Sequence, residues 1–328
     1  MFEGVMALIR RSALIAAIAL ALAVSGADAA EQVTLGYSSA DATYGVWFYA
    51  QENGFFQKRG LDSTLIFFDS GTKGIQALVG GAVDIAAGDA NALMNAKFAG
   101  SDVVFIGTSL GVLTGNAYTA KDIASPADLK GKKWGISSFG SEAHFAAQLA
   151  IKSFGLSVSD VTLVQLGNQG NRLAALDAGQ IQASTFLPPV SEKAEAAGYK
   201  KVAELPKLAP NFFSIGPATS IKTLHGRRPI VKAVLEALAE ATAAYKKDRA
   251  GGTAAIQKYL KASEHDAAAA WEYFAPLAPV DLRPSPTSFQ IHLEHSTDPR
   301  AKTAKFEDFV DLSVLDELQK EGFFKALQ

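Results

Sequence analysis

Short apolar runs alternate along this chain with stretches in which apolar residues recur at helical spacing. Runs of the first kind lie at 33–37, 63–68, 83–87 and 103–107, and polar turns and helical patterns follow the first three of them. Short apolar runs bounded by turns are typical of buried strands, and their alternation with helices predicts a mostly parallel sheet with helical crossovers.

The pattern stops at 125–133, which is rich in Pro, Gly and charge, and then starts again with a short apolar run at 134–136. From Pro229 onward a strongly amphipathic helix and further helices follow, without new strands. The chain is therefore predicted to contain two α/β units and a C-terminal helical segment.

Two stretches, 58–86 and 153–184, repeat the same order of features. Each has Gly-Leu, a strand, a polar glycine turn, a helix ending in Ala-Leu, a glycine and another strand. Two similar lobes would each present polar turns at the carboxyl ends of their strands, where α/β sheets bind ligands. Two such edges facing each other predict a ligand cleft.

The N-terminal residues have the features of an export signal. Arg10 and Arg11 precede an apolar run at 12–24, and 27–29 fits a small-x-small cleavage site, so residues 1–29 are predicted to be removed. The sequence has no cysteine, which excludes disulfides, thiolate metal sites and lipid attachment. We therefore expect a periplasmic protein without a direct membrane anchor.

Charge and motifs argue against several other functions. Lys plus Arg total 31 and Asp plus Glu total 33, so no basic excess indicates nucleic acid. The stretch 135–140 approaches the G-x-S-x-G elbow of hydrolases but has Phe139 at the final glycine position. His292 and His295 are too close in sequence for a zincin motif and are expected on a solvated helix surface. No catalytic residue, metal site or cofactor is predicted.

The loop 137–141 stands between the strand at 134–136 and a helical pattern that begins at Glu142. A helix N-terminus offers free N–H groups and partial positive charge, which suits an anion or a polar ligand. Alternatively, Ser141 only caps the helix. The residues of this loop alone leave both interpretations open.

The chain resembles the periplasmic solute-binding proteins of ABC importers, in the nitrate/sulfonate/taurine group that also includes binders of a thiamine pyrimidine precursor. The matching segments are 50–62, 70–86, 124–137, 140–156, 172–183 and 305–323. The resemblance implies a type II-like bilobal α/β fold that closes on a small ligand and docks on a membrane permease. It places chain crossings near 118–123 and 214–219, hence lobe 1 at 30–120 plus 217–328 and lobe 2 at 121–216.

The resemblance also implies that polar turns contact the ligand, so that the loop 137–141 forms one wall of the cleft with its N–H groups facing ligand. Carried over by position, the expected ligand-binding residues are Ser38, Ser39, Asp41, Tyr44, Ser70, Gly71, Thr72, Asp89, Asn91, Ser137, Ser138, Gly140, Ser141, Asn168, Gln169, Asn171, Thr185 and Phe186.

Several side chains allow two interpretations. Asp41 and Asp89 either cap the helices that follow them, the commoner role, or hold the cationic group of a zwitterion. Arg172 either pairs with a carboxylate or sulfonate or is solvated. The turns contain no obvious Lys or Arg pair to neutralise a bare anion, which argues against nitrate and bicarbonate.

These observations predict a non-enzymatic, monomeric solute-binding protein. It would capture a small anionic or zwitterionic organic solute and deliver it to the permease of an ABC importer. Two alternatives stay open: an enzyme on the same bilobal fold, of the menaquinone-pathway or thiamine-pyrimidine type, and an exported ligand sensor.

Overall fold

The computed structural model describes residues 30–327, so the predicted signal peptide at 1–29 lies outside the described residues. The strands are β1 (Glu31–Ser38), β2 (Leu61–Phe68), β3 (Ile85–Asp89), β4 (Val103–Phe105), β5 (Asn116–Thr119), β6 (Lys133–Ile136), β7 (Thr162–Gln165), β8 (Ala183–Phe186), β9 (Lys200–Glu204) and β10 (Ile215–Ser220).

The α-helices connect or cover these strands. They are α1 (Gly45–Glu52), α2 (Phe55–Lys58), α3 (Gly71–Val79), α4 (Ala90–Phe98), α5 (Glu142–Ser153), α6 (Gln169–Asp177), α7 (Val190–Ala196), α8 (Leu205–Leu208), α9 (Ile221–Gly226), α10 (Arg228–Tyr245), α11 (Arg249–Leu260), α12 (Glu264–Phe274), α13 (Gln290–His295) and α14 (Ser313–Lys320).

Two five-stranded sheets form the centres of two α/β lobes. Their strand orders are β2-β1-β3-β10-β4 and β7-β6-β8-β5-β9. The lobes match strand for strand when the two orders are read from left to right. For example, β1 of the first sheet corresponds to β6 of the second, and β10 corresponds to β5. This shared order confirms the internal similarity that the sequence predicted.

The sheets are mixed but mostly parallel, as predicted: in the second sheet four of the five strands run in the same direction and one runs against them. The pairs β1–β3, β6–β7 and β6–β8 are parallel, whereas β10 runs antiparallel to β3 and β4, and β5 runs antiparallel to β8 and β9. The antiparallel strands β5 and β10 are those that begin where the chain has just changed sheets. A strand that enters a sheet from the opposite lobe runs against its neighbours.

The change of sheet occurs where the two crossing segments lie side by side. Leu110 and Ile215 form an antiparallel bridge, and the Thr108 hydroxyl donates to the Ile215 carbonyl at 3.1 Å. β5 lies within the range expected for lobe 1 but pairs in the second sheet, so the first change comes earlier than 118–123. The residue boundaries of the lobes otherwise stay a prediction.

The C-terminal helices share a hydrophobic core with the first sheet. Along α10, Val231, Val234, Leu235 and Leu238 are fully buried at the i, i+3, i+4, i+7 spacing of an amphipathic helix. They pack in one cluster with Leu35 of β1 and Trp47 of α1. Burial of a side chain of this size contributes about 1.5–3 kcal/mol, so α10 fixes the back of the first lobe.

A separate core supports the second sheet, with Trp134 and Ile136 of β6 packed against Leu149 and Ile151 of α5. Within residues 30–327, no helix combines the length and apolar character that crossing a membrane requires.

Candidate functional site

The polar turns at the strand ends are shaped by helix caps. Asp41, Ser70, Asp89, Ser141 and Asn168 are all N-cap residues, and each side-chain oxygen accepts a backbone N–H from the first turn that follows. Such caps stabilise a helix by about 1 kcal/mol and hold the side chain at the strand edge. The capping role considered for Asp41, Asp89 and Ser141 is therefore present.

These turns enclose a cavity between the two lobes. It measures about 60 Å³ as the space open to the centres of water molecules. Among the residues predicted to bind ligand, those that line it are Ser38, Ser39, Asp41, Tyr44, Ser70, Gly71, Asp89, Ser137 and Thr185. Both lobes thus contribute, as the predicted cleft requires.

The other predicted residues do not line this cavity. They are Thr72, Asn91, Ser138, Gly140, Ser141, Asn168, Gln169, Asn171 and Phe186. Phe186 is fully buried against Tyr118, with ring centroids 5.8 Å apart, and Asn91 is buried next to His292. Whether any residue of either group contacts a ligand stays a prediction.

Ser39 has an unusual backbone for a residue with a side chain. Its φ is 76°, in the left-handed region that favours glycine, and its N–H donates to the Phe68 carbonyl at 3.2 Å. Such a conformation costs of order 1 kcal/mol and persists only where the surroundings impose it. Here it turns the chain from β1 into the wall of the cavity.

Hydrogen bonds between the lobes close the cavity. Gln169 is fully buried, and its Nε2 donates to Asp41 Oδ2 at 3.0 Å while its Oε1 accepts from the Leu187 N–H at 2.7 Å. At the rim, the Thr72 hydroxyl donates to the Phe139 carbonyl at 3.1 Å and accepts from the Ser138 hydroxyl at 3.0 Å. Several predicted site residues that do not line the cavity therefore join its two walls.

A carboxylate of the first lobe meets a helix end of the second. Asp89 accepts the Ala92 N–H at 3.0 Å through Oδ1, and its Oδ2 accepts the N–H of Glu142, the first residue of α5. The N–H groups around the 137–141 loop were expected to face ligand. The Glu142 N–H instead bonds to a side chain of the other lobe. The Gly140 N–H donates to His144 Nδ1 at 3.1 Å, so it is also satisfied within the protein.

Two acids that line the cavity hold protons unusually tightly. Burial raises the pKa of Asp89 to about 6, although three backbone N–H groups oppose this shift. Burial, with the nearby Asp89 as the second cause, raises the pKa of Glu142 to about 8, while the Ser214 hydroxyl, which donates to Glu142 Oε2 at 2.6 Å, opposes it. Near neutral pH, Glu142 is therefore mostly protonated and Asp89 mostly ionised.

Arg172 lines the same cavity from α6 and is 2% exposed. Its Nη1 donates to the Thr185 carbonyl at 2.9 Å and to the Ser184 and Thr185 hydroxyls, whereas Nε has no partner among the described residues. Burial lowers the pKa of Arg172 to about 10, with Asp41 opposing the shift, so the guanidinium stays charged at neutral pH. An enclosed guanidinium with unused donors suits a carboxylate or sulfonate.

A comparison with models of known protein families shows which family the chain belongs to. The family model described as "NMT1/THI5 like" matches residues 42–250, which is more than half of the sequence. The chain belongs to the NMT1/THI5-like family. The resemblance expected from the sequence is thereby confirmed.

Solved structures agree with the fold of this NMT1/THI5-like protein. A structure from Bordetella bronchiseptica RB50 has a TM-score of 0.78 and 20% identity, covering 89% of this chain and 98% of its own. The alkanesulfonate-binding protein SsuA from Xanthomonas axonopodis pv. citri, bound to MOPS, has a TM-score of 0.65 and 22% identity, covering 76% and 84%.

The periplasmic nitrate-binding protein NrtA from Synechocystis PCC 6803 has a TM-score of 0.72 and 13% identity, covering 88% of each chain. At these identities the likeness shows the periplasmic-binding-protein fold alone. A comparison of the sequence with curated proteins gave no match.

Sequence reasoning missed one central residue of this NMT1/THI5-like protein. Glu142 lines the cavity, but in sequence it reads as an ordinary first-turn acid that complements a helix dipole. The signal that could have identified it is its position directly after a loop expected to form the cleft wall. Thr43, Thr114 and the apolar Leu113, Ala143, Ala146, Leu187, Leu205 and Ile215 also line the cavity without having been predicted.

The expectation of solvated histidines on α13 is wrong for His292. It is fully buried, its Nε2 donates to the Phe213 carbonyl at 2.9 Å, and its ring packs against Phe212 with centroids 4.3 Å apart. Burial lowers the pKa of His292 to about 3. It is a neutral core residue where α13 packs between the lobes.

Proposed function

We propose that this NMT1/THI5-like protein is the periplasmic solute-binding component of an ABC importer. It captures a small polar organic solute, anionic or zwitterionic, between its two lobes and delivers it to a membrane permease. The observation that carries this proposal is the small cavity enclosed between the strand ends of two similar sheets and lined by polar turn residues together with apolar side chains. A buried, charged Arg172, whose Nε has no partner among residues 30–327, forms part of its wall.

The relatives support a binding role. SsuA and NrtA are named as binding proteins, for alkanesulfonates and nitrate, and both share the bilobal fold. The export signal expected at 1–29 agrees with the periplasm, and the resemblance of the sequence to importer components supports delivery to a permease.

The test is a thermal-shift screen of the purified protein. The compounds are alkyl and aromatic sulfonates, taurine, nitrate, bicarbonate, aromatic carboxylates and hydroxymethylpyrimidine. A ligand at about 100 times its dissociation constant adds roughly 2.7 kcal/mol to the free energy of unfolding, which raises the midpoint by several degrees. A coherent set of compounds that shift the midpoint and are recovered unchanged supports the proposal. Conversion of the compounds would indicate an enzyme, and no shift with any compound would contradict the proposed solute class.

A further inference from the structure

The ionisable groups that line the cavity do not balance in charge. Asp41, Asp89 and Glu142 are carboxylic acids, whereas Arg172 is the one cationic side chain in the cavity wall within the part of the chain that the structure describes. Fully ionised, this set carries an excess of two negative charges. Enclosed charge without compensation is strongly unfavourable. A bare anion would add to the excess, while a cationic group would reduce it.

Glu142 offers the open acceptor among the three acids. Both oxygens of Asp41 accept hydrogen bonds, from the Thr43 N–H and from Gln169, and both oxygens of Asp89 accept backbone N–H groups. Glu142 accepts from Ser214 through Oε2, and no described residue donates to its Oε1. Glu142 is also partly rather than fully buried, so this oxygen is available to a solute in the cavity.

Arg172 is an independent indication of a ligand, since it is 98% buried, lines the same cavity and has an Nε without a partner in the part of the chain that the structure describes. Hydrogen bonds divide these charges into two groups. Asp89 accepts the N–H of Glu142, so these two acids lie together, whereas Arg172 donates to Ser184 and Thr185 of β8. Among the described residues, Arg172 shares no hydrogen bond with either acid.

We infer that the solute is a small zwitterion, whose cationic nitrogen is held by Glu142 with the Asp89 carboxylate beside it, and whose acid group is held by Arg172. This inference rests on the proposed function and narrows its solute class. A site that binds only a bare anion would have no need of acids in its wall. The nitrogen sits where the two lobes meet, so it links the Asp89 side of the first lobe to α5 of the second.

Size limits the candidates. A cavity of about 60 Å³ has room for about four to six water-sized positions, taking about 10–15 Å³ for each. Taurine and β-alanine are suitable probes, because each places one ammonium and one acid group at the ends of a two-carbon chain. Propane-1-sulfonate and butyrate are their matched controls, with a methyl group in place of the ammonium.

If Glu142 held the anionic group of the solute instead of the cationic nitrogen, binding would depend on pH in the opposite way. A protonated Glu142 could instead donate to an anionic group, and binding would then weaken as the pH rises and this proton is lost. A cationic nitrogen displaces the proton, so its affinity rises with pH, up to about tenfold per unit below the pKa of about 8, and levels off above it. The other titratable groups facing this region are Asp41, Tyr44, Asp89, Arg172 and, one turn along α5, His144.

The experiment measures the affinity of both pairs by isothermal titration calorimetry. At about pH 7.5, taurine or β-alanine is expected to bind at least about tenfold more tightly than its methyl counterpart. Titration in two buffers of different ionisation enthalpy is expected to show proton release on binding. Any other compound that binds in the screen is compared with its isostere that lacks the cationic nitrogen.

Two variants with the same replacement of a carboxyl by an amide group separate the site from general effects of removing an acid. Glu142→Gln keeps an acceptor for Ser214 and is expected to abolish both the preference for the ammonium compound and the proton release. Asp62→Asn, on an exposed position of β2, is the control and is expected to leave both unchanged.

The outcomes distinguish the two proposals. If a compound without a cationic nitrogen binds as tightly as its ammonium counterpart, or if affinity falls with rising pH, the inference is overturned and the proposed function stands. If Glu142→Gln keeps the full preference for the ammonium compound, the assigned residue is wrong. If no compound of the screen or of either pair binds, the proposed solute class is overturned together with the inference.

Discussion

Gly71 begins helix α3 directly beside the Asp89 carboxylate. A Cβ at this position would lie 2.5 Å from Asp89 Oδ2 and 2.6 Å from Asp89 Cβ, closer than real contacts allow. The glycine therefore lets the start of α3 approach the end of β3, where Asp89 accepts the N–H at the N-terminus of α5. Its role is steric, and its φ does not lie in the left-handed region.

We expect Gly71→Ala to displace Asp89 and to destabilise the protein by about 1–3 kcal/mol, the usual cost of overpacking. Binding of the tightest compound from the screen should weaken as well. Denaturant unfolding and calorimetry measure the two effects. Gly74→Ala, in the same helix, is the matched control: its nearest contact would be Ser38 Cβ at 3.6 Å, and alanine favours helix by up to about 1 kcal/mol. Equal stability of the two variants would contradict the steric role of Gly71.

At the scale of the elements, helices α3 and α4 of the first lobe meet the loop before α5 in the second. Thr72 bonds with Phe139 and Ser138, Asn95 Nδ2 donates to the Gly140 carbonyl at 3.4 Å, and Asp89 accepts the Glu142 N–H. These contacts form only when the lobes approach each other. They therefore favour the closed arrangement by a modest amount each, since water satisfies the same groups when they separate.

Replacing Thr72 by Val removes its hydroxyl, and with it two of these hydrogen bonds, at nearly constant shape. A loss of about 1 kcal/mol corresponds to roughly a fivefold effect, so we expect the bound solute to dissociate about five times faster. Stopped-flow measurements with the tightest compound of the screen give this rate. Thr64→Val, an exposed position on β2, provides the control. An unchanged rate in Thr72→Val would show that the rim bonds do not retain the solute.

The elements of the fold were largely predictable because their signals are local. Apolar runs, turns and the repeat between 58–86 and 153–184 identified the strands and the duplicated lobes. The directions of β5 and β10 were not predictable, because they depend on the chain crossing between lobes, which no local pattern encodes. Polar turns likewise indicated half of the cavity wall. Glu142 acquires its environment only when the lobes meet, and Arg172 acquires its hydrogen-bond partners from β8, which is distant in sequence.

At the scale of the whole molecule, enclosing acids between two lobes links stability to pH. The pKa of Glu142 is raised to about 8, so the folded protein binds this proton more tightly than the unfolded chain, and stability falls as the pH rises from about 4.5 to about 8. The raised pKa of Asp89 also makes stability fall with rising pH, up to about pH 6. The lowered pKa of His292, about 3, has the opposite effect, but only below about pH 6.5.

Between about pH 7 and about pH 8.5, Glu142 therefore dominates, and we expect the ligand-free protein to lose roughly 1 kcal/mol of unfolding free energy. Urea denaturation at the two pH values measures this loss. Glu142→Gln cannot ionise and should show a flat profile over the same range, whereas the exposed Asp62→Asn should keep the slope of the parent protein. A parent protein whose stability stays constant or rises would mean that Glu142 is already ionised at neutral pH. A saturating zwitterion should remove the slope as well, because its ammonium group would compensate the carboxylate that the rising pH creates between the lobes.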